Sequence, residues 1–467
     1  MSENSTSSYQ EQKFWLPWPL TNFASYKTAL LSLIFSAIVF SYAIVKIVKD
    51  AVFLSMVGAS FQPWAKIAVI FVSVIIFMPL YSWAMNRGSR QTLAIAFPVI
   101  YAVFLFCFAV LLLHPTIGLT NKVASATRWL GWVSYIFLEF YSIAIVATFW
   151  AMLSSISTPE SSKQQYGIIT IASRVAGILA SLVVLWITQI IKSSENVTFP
   201  LILVGSGIAL LGAAALVKLM FKSLPPEHLT GYTDIYEKTP LEKNKQLPKP
   251  GFLDGLRSVL TEPYAIGIFG LIAAVEMIST IMDYRMQCLV SQNVNNSAMG
   301  MLYHFGVYTL SFQLVSLVLA TFVTTTLPQR IGLRKCLLVT PLALMFMIML
   351  SFGFDTLSMA MAVQIVVRAF NYGFNEPVRE MLYVPTSHKI QFGAKGWVDT
   401  FGRTLSKGSG AALNLLTTIL SPAVGNTLSL VTSMGIGGLW LVIATFVGKS
   451  YHQAIAKHQV IGSTIKK

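Results

Sequence analysis

Long apolar runs separated by short polar loops are the feature that most limits what this chain can fold into. One such run, LLSLIFSAIVFSYAIV at 30–45, contains no charged residue, and about 20 apolar residues let a helix cross a bilayer. Only 11% of the 467 residues are charged, against about 25% in a soluble protein. In lipid only helices and closed barrels satisfy their backbone groups, and the alternating polarity of barrel strands is not seen in this sequence. The sequence therefore predicts an all-α polytopic membrane protein.

The apolar runs predict twelve transmembrane helices. The predicted spans are 27–48, 63–84, 92–113, 130–153, 167–191, 199–221, 264–289, 303–327, 335–354, 357–378, 396–420 and 427–448. The longest polar stretch lies between the sixth and the seventh span, so the spans divide into two six-helix halves. The predicted domains are an N-terminal tail (1–26), an N-terminal half (27–221), a linker (222–262), a C-terminal half (263–448) and a C-terminal tail (449–467).

The basic residues predict how the chain is oriented. Arg87 and Arg90 follow the second span, Arg330 and Arg334 follow the eighth, and several lysines lie in the C-terminal tail. Loops rich in Lys and Arg stay on the cytoplasmic side, so both termini are predicted to be cytoplasmic. This rule accounts for most of the net charge of +15. The linker carries both signs in near balance, which argues against nucleic-acid binding.

The two halves repeat each other weakly. MNRGSRQTL (85–93) corresponds to PQRIGLRKCL (328–337), and both place an Arg-Gly-Arg cluster in a short turn after a span. This resembles the loop motif of major facilitator transporters, without its usual acidic residue. SRVAG in the fifth span, with Arg174, corresponds to GRTLSKG in the eleventh, with Arg403. Parallel repeats of this kind are typical of transporters whose substrate site lies near the midplane, between the halves.

Charged residues inside the first and fourth spans indicate a functional site. Each such charge costs roughly 2.5–3.5 kcal/mol to insert. Lys49 and Asp50 are followed at once by apolar sequence, which favours an ion pair or a cation that faces a cavity. Glu139 lies about ten residues from each end of its span, near the midplane. Lys46, at a helix end, is explained as well by snorkelling to the interface.

The second half contains further intramembrane charges. Asp399, Arg403 and Lys407 in the eleventh span are spaced four apart, which places them on one face of a helix. A stripe of cations on a cavity wall binds an anion, and the nearby glycines let a ligand or a facing helix approach closely. In the tenth span a helix cap with local ion pairs explains the charges as well as a site does. The other charges are Glu276, Asp283 and Arg285 in the seventh span and Arg368, Glu376, Arg379 and Glu380 in the tenth.

Enzymatic chemistry, a cofactor and a metal site are not predicted. The GxxxxGK[ST] spacing of a phosphate-binding loop is absent. The cysteines and the histidines in or near the spans lie on separate segments, without disulfide or metal-ligand spacing. The cysteines are Cys107, Cys288 and Cys336, and three of the six histidines are His114, His304 and His388.

Five segments together resemble the nucleotide transporter family, the ATP/ADP translocases of obligate intracellular bacteria and plastids. VKIVKDAVFLSMVGA is similar to the family's LKD segment, and LEFYSIAIVATFWAMLSSIST is similar to ELW…FWGFANQIT. KQQYGIITIASRVAGILAS resembles the following YGLFG and GAN…SG, and IMDYRMQCLV lies where the family has LVEVTWK. EPVREMLYVPTSHKIQFGAKGWVDTFGRTLSKGSGAAL resembles P-x-KE-M-x-YIP…KGKA-x-ID…R-x-GKSGGA and is the most specific match.

The resemblance implies that four charged residues are tied to transport, and these are Lys49, Glu139, Asp283 and Lys407. It implies that the two lysines meet phosphates. It also implies that the two carboxylates recognise the ligand, pair with the lysines in the empty site, or couple protons. The predicted substrate site is completed by Arg403, Asp50, Asp399 and Arg174.

The chain departs from the family motifs in three places, which leaves the transported nucleotide open. An aspartate replaces the family's glutamate at Asp283. Met286 and Gln287 replace a tryptophan and a lysine, and SKGSG replaces GKSGG.

Three functions therefore stay open on the sequence. The first is a monomeric exchanger of ATP for ADP, working by alternating access in a bacterial inner membrane. The second is a transporter of another nucleotide, of NAD or of an organic anion, with proton coupling as a variant. The third is a membrane sensor or assembly protein without transport activity. The predicted partners are a nucleotide substrate and the lipid bilayer.

Overall fold

The computed structural model describes residues 23–157, 159–190, 194–229, 252–387, 390, 394–457 and 459–462. Helices make up most of this part. Its one extended pairing, within those ranges, is an isolated bridge between Thr386 and Ile461. His388, most of the N-terminal tail and residues 230–251 of the predicted linker lie outside the described residues.

Twelve long helical elements, labelled α1–α12, follow one another in the described part. Seven are continuous: α1 (Phe23–Met56), α3 (Arg90–Leu112), α5 (Pro159–Ile190), α6 (Glu195–Ser223), α7 (Pro263–Asn293), α9 (Leu333–Gly353) and α12 (Pro422–Ala456). Five consist of three segments, of which the middle one is a π-helical turn. They are α2 (Gln62–Val72, Ser73–Phe77, Met78–Arg87), α4 (Trp129–Glu139, Ser142–Val146, Ala147–Ser155), α8 (Ala298–Val318, Leu319–Val323, Thr324–Ile331), α10 (Leu357–Phe370, Asn371–Asn375, Glu376–Leu382) and α11 (Lys395–Trp397, Val398–Gly402, Arg403–Thr418).

Eleven of these helices, within the described ranges, are long and apolar enough to cross a membrane. The predicted all-α polytopic fold is therefore confirmed. The element that does not qualify is α11, because charged residues are spaced along it, and its role as a twelfth span stays a prediction. The outward-facing surface of the bundle is apolar, as contact with lipid requires. Examples of its exposed side chains are Phe71, Ile75, Phe322 and Ile419.

Side chains at the helix starts explain where several helices begin. Ser89, Ser297 and Thr356 each accept a hydrogen bond from a backbone N–H in the first turn of α3, α8 and α10. Such caps satisfy one of the orphan donors at a helix start. Proline stands at the first turn of α2, α7 and α12, where its missing N–H costs nothing.

Several helices extend beyond the predicted spans, α1 for example to Met56, and two helical segments lie in predicted polar stretches. The last helix, α12, continues to Ala456, although its apolar run predicts an end at 448. The predicted linker contains a short helix, Phe252–Thr261, directly before α7. Both extensions carry polar residues, and a helix outside the hydrocarbon layer does not need an apolar sequence.

Alternate crossings place the loops after α1, α3, α5, α7, α9 and α11 on one side of the bundle, which we call the odd-loop face. The opposite side, which we call the termini face, carries the other loops. The two sets of six helices pack through α1 and α5 against α8, and through α2 against α11. One hydrophobic core fills the first set and extends into α8, and a second core lies within the second set.

Candidate functional site

Lys49 on α1 is the centre of a buried charge cluster. Its ammonium is paired with the Glu139 carboxylate of α4 and lies 3.4 Å from the Asp50 carboxylate. The same ammonium lies 4.2 Å from the centre of the Tyr135 ring, a distance typical of a cation–π contact. The structure therefore brings together three of the predicted site residues.

The backbone of α4 changes character directly after Glu139. The first α-helical segment ends at this residue, and the π-helical turn Ser142–Val146 follows within one turn. Between them, the Tyr141 hydroxyl donates a 3.0 Å hydrogen bond to the Ile38 carbonyl of α1. Single π-helical turns are frequent at functional sites. In this helix the turn lies beside a carboxylate that α1 holds in place.

Asp283 on α7 is paired with a lysine that the sequence analysis did not single out. The Lys66 ammonium of α2 lies 3.0 Å from Oδ2 of Asp283. The amides of Gln287 and Gln364 each donate a 3.2 Å hydrogen bond to the same carboxylate. Lys66 is a charge four residues into an otherwise apolar helix, so the argument that selected Lys49 would also have found it.

Two departures from the resembled family's motif contact each other. Gln287, where the family has a lysine, donates its hydrogen bond to Asp283, where the family has a glutamate. The two positions are four apart and therefore lie on one face of α7. An amide donor supports the shorter carboxylate, and the cation comes from α2 instead.

Arg403 on α11 connects three helices of the second half. Its guanidinium lies 2.7 Å from Glu376 of α10 and 3.5 Å from Glu276 of α7. Its Nε lies 3.5 Å from Asp399, one turn earlier on α11. The predicted residues Arg403 and Asp399 are therefore in contact with each other, within a wider network of carboxylates.

Lys407 is the least compensated cation of the predicted site. Its side chain is exposed, and within the described ranges no carboxylate lies in ion-pair distance of its ammonium. The next residue on α11, Gly408, packs against Ile70 of α2. Lys407 therefore lies on the part of α11 that contacts the first half.

Arg174 on α5 contacts the second half through an aromatic ring. Its guanidinium lies 5.8 Å from the centre of the Tyr372 ring of α10. The Tyr372 hydroxyl accepts a 3.4 Å contact from Arg368. Arg174 is therefore placed beside the charge clusters by a cation–π contact instead of an ion pair.

Two further arginines are paired outside the predicted set. Arg285 donates a 2.7 Å hydrogen bond to Asp355 in the loop after α9. Arg379 is buried with its nearest acid, Glu376, at 3.9 Å. In the part of the chain that the structure describes, no group of His, Cys, Asp and Glu could hold a metal ion.

Together these side chains place four lysines and arginines and several carboxylates within the first half, across the contact between the halves and within the second half. The cations are Lys49, Lys66, Arg403 and Lys407. Most of them are paired with a carboxylate, and one is not. Such a site can take up an anion, because a phosphate can replace a carboxylate as the partner of an ammonium or guanidinium group.

The helical bundle with its buried charges is a polytopic membrane protein with a major-facilitator-like fold. The structure is similar to that of a bacterial homologue of the human lysosomal transporter Spinster, in an inward-facing and unoccupied conformation. The TM-score is 0.59 at 16% identity, over 95% of this chain and 100% of that one. It is also similar to the nucleoside transporter NupG, with a TM-score of 0.57 at 14% identity, over 92% and 99% of the two chains.

The chain belongs to the TLC ATP/ADP transporter family, whose model matches residues 2–451. It is 21% identical to ADP,ATP carrier protein 1 of Chlamydia pneumoniae, over 95% of each chain. It is 20% identical to ADP,ATP carrier protein 3 of Rickettsia bellii, over 87% of this chain and 90% of the relative. It is 22% identical to the chloroplastic ADP,ATP carrier protein 2 of Arabidopsis thaliana, over 93% and 76%. The resemblance seen in the sequence is confirmed, and the low identities make this chain a divergent member.

Proposed function

We propose that this protein exchanges ATP for ADP across a bacterial inner membrane, with both termini in the cytoplasm. The observation that carries the proposal is the contrast between an exposed lysine, Lys407, and a buried one, Lys49, on opposite sides of the contact between the halves. Family membership and relatives named ADP,ATP carriers support the same substrate class. The activity is transport without chemical conversion of the nucleotide.

Binding starts at Lys407. An exposed ammonium without an ion-pair partner among the described residues attracts a phosphate without giving up a carboxylate. The phosphate chain then reaches Lys49, whose ammonium must leave Glu139 to accept it. A triphosphate and a diphosphate both carry enough charge to meet two lysines.

Exchange follows from the charges that remain when the site is empty. An uncompensated ammonium costs several kcal/mol within the membrane, so a carrier whose lysines lack phosphates crosses to its other conformation slowly. A bound nucleotide removes that cost in both directions. The two halves can then rock around the loaded site, and import becomes coupled to export.

Uptake of labelled ATP into intact bacterial cells that express the protein tests this proposal. We expect saturable uptake and release of the label when unlabelled ADP is added outside. The matched control is Lys122→Met, which removes an exposed ion pair with Glu195 in the odd-loop face and is expected to leave uptake unchanged. Absence of saturable ATP uptake from a correctly inserted protein would contradict the proposal.

A second candidate substrate class is favoured by Asp283 and Gln287. These residues replace the glutamate and the lysine of the resembled family's motif, and they contact each other. The changed pair can select another nucleotide, NAD or an organic anion. A panel of unlabelled competitors in the same uptake assay separates these from ATP, since the transported class is the one that competes at the lowest concentration.

A further inference from the structure

The ion pair between Lys66 and Asp283 connects the two halves of the molecule. Lys66 belongs to α2 and Asp283 to α7, and their charged groups lie 3.0 Å apart. We propose that this ion pair is a latch that holds the odd-loop face closed and that must break when this face opens. The proposal goes beyond the function proposed above, which makes no use of Lys66.

The latch lies on the odd-loop side of the bundle. Lys66 is in the first turns of α2, which begins at Gln62 directly after the odd-loop turn Ala59–Phe61. Asp283 precedes the odd-loop end of α7, Asn293, by ten residues, or about 15 Å of helix. The other end of α7 is about 30 Å away. Opening the odd-loop face therefore separates these two residues.

Lys66 is the partner of Asp283 that such a movement removes. The other described donors to this carboxylate, Gln287 on α7 and Gln364 on α10, belong to the same half as Asp283. They move with Asp283 when the halves rock as rigid bodies. Lys66 moves with the opposite half, so the ion pair forms only when the odd-loop face is closed.

The helices next to this ion pair are also closely packed. Ile70 lies one turn after Lys66 on α2, and its Cδ1 would be 1.9 Å from a Cβ built on Gly408 of α11. The turn Ala59–Phe61 packs against α7. The side chains of Lys66 and Asp283 are 15% and 11% exposed. The ion pair therefore lies in a tightly packed seam from which most water is excluded.

Removing one partner of a buried ion pair is more harmful than removing both, because the remaining charge has no compensation. Lys66→Met leaves Asp283 charged in the seam and favours hydration of the seam, and hence its opening. Asp283→Asn leaves Lys66 uncompensated with the same consequence. Removing both charges leaves neither penalty.

Accessibility of a cysteine in the seam measures the opening directly. The reporter is Ile70→Cys in a background with Cys107→Ala, Cys288→Ala and Cys336→Ala, which replaces the described cysteines. A small membrane-impermeant thiosulfonate is added to intact cells, so it reaches the reporter only through an open odd-loop face. No nucleotide is added, so the result does not depend on the substrate, and a failure of the proposed exchange activity is seen separately in the uptake assay.

We expect Lys66→Met and Asp283→Asn each to increase the labelling rate at least about fivefold, and the double variant to be labelled more slowly than either single variant. Lys122→Met, which breaks an ion pair within one half, should label as the parent does. Single variants that label within twofold of the parent would overturn the proposal. So would a double variant in which the two increases multiply, since the residues would then act independently.

One conservative variant and one measurement guard against a simple loss of folding. Lys66→Arg keeps the charge and should label like the parent if the ion pair is what matters. The amount of inserted protein is quantified for each variant, and labelling is expressed per inserted molecule. A Lys66→Arg variant that is labelled as fast as Lys66→Met would also overturn the latch.

Discussion

Lys49 of α1 and Lys407 of α11 carry the same charge in opposite surroundings. Lys49 is 7% exposed and is held by Glu139, Asp50 and the ring of Tyr135. Lys407 is exposed and, within the described ranges, has no carboxylate in ion-pair distance. Two lysines that the sequence treats as equivalent phosphate ligands are therefore not equivalent in the empty protein.

In the proposed mechanism, this difference means that the two lysines act at different steps of substrate binding. A free ammonium can bind an anion directly, whereas a paired ammonium must release its carboxylate before it binds a phosphate. The exchange at Lys49 releases Glu139, and α4 carries its π-helical turn directly after that residue. In the proposed mechanism, binding at the paired lysine is thus the step that can be transmitted to a helix, and binding at the exposed lysine is the step that brings the substrate in.

The largest effect is expected for Lys407→Ala. Loss of one charge-assisted contact to the phosphates should reduce the ratio of maximal uptake rate to half-saturation concentration by about 10- to 100-fold, and it should weaken the coupling of import to export. The thermal unfolding midpoint in detergent should stay within error of the parent, because no ion pair among the described residues is broken. An unchanged exchange rate would show that the exposed lysine does not meet the substrate.

The next effect concerns stability, and it is expected for Lys49→Met. Two partly buried carboxylates, Glu139 and Asp50, then remain without their cation, and since breaking a fully buried ion pair costs about 3–5 kcal/mol, we expect a smaller loss here. The unfolding midpoint should fall, and adding Glu139→Gln should recover part of the loss. If Lys49→Met and Lys407→Ala changed the midpoint equally, the contrast between the two lysines would be wrong.

Glu139→Gln tests the contrast between Lys49 and Lys407 by removing the carboxylate instead of the lysine. The substitution keeps the shape of the side chain and leaves the Lys49 ammonium with Asp50 as its one described carboxylate partner, so a phosphate can bind it without displacing Glu139. We expect tighter nucleotide binding, by about 10-fold, together with slower exchange, since the ligand no longer has to displace an acid. Equilibrium binding tests the expected increase in affinity, and exchange rates test the expected slower exchange. Both are measured on the same reconstituted protein.

A smaller effect is expected for Gly408→Ala, next to the exposed lysine. Its added Cβ would overlap Cδ1 of Ile70, which is the flexible end of that side chain, so we expect a cost near the lower end of overpacking, about 1 kcal/mol. Ile70→Ala in the same chain should relieve the clash. Gly435→Ala is the matched control, because nothing lies within 4 Å of the Cβ it would add, and equal losses from both glycine variants would exclude a specific contact between α2 and α11.

The apolar runs were sufficient to predict the fold, because the length and polarity of a transmembrane helix are set by the bilayer and not by its neighbours. Charges inside those runs were sufficient to select Lys49, Glu139 and Asp283, since each has a high insertion cost. The partners could not be predicted from one sequence. The pairing of Asp283 with Lys66 depends on how α2 and α7 meet, and neither spacing nor composition contains that distance. The helix α12 continues to Ala456, beyond its predicted span, because polar residues such as Lys449 end an apolar run without ending a helix.

The long helices of the bundle are of two kinds, continuous ones and ones interrupted by a π-helical turn. In the described part, α2, α4, α8, α10 and α11 contain such a turn, whereas the other seven long helices are continuous. The second and eighth helices hold equivalent places in the two halves, as do the fourth and tenth. A wide turn can pass its extra residue along the helix by exchanging one backbone hydrogen bond for the next. A helix with such a turn can therefore tilt at one end while its other end stays packed. The carrier can then open one face by bending a few helices, while the continuous helices keep their positions.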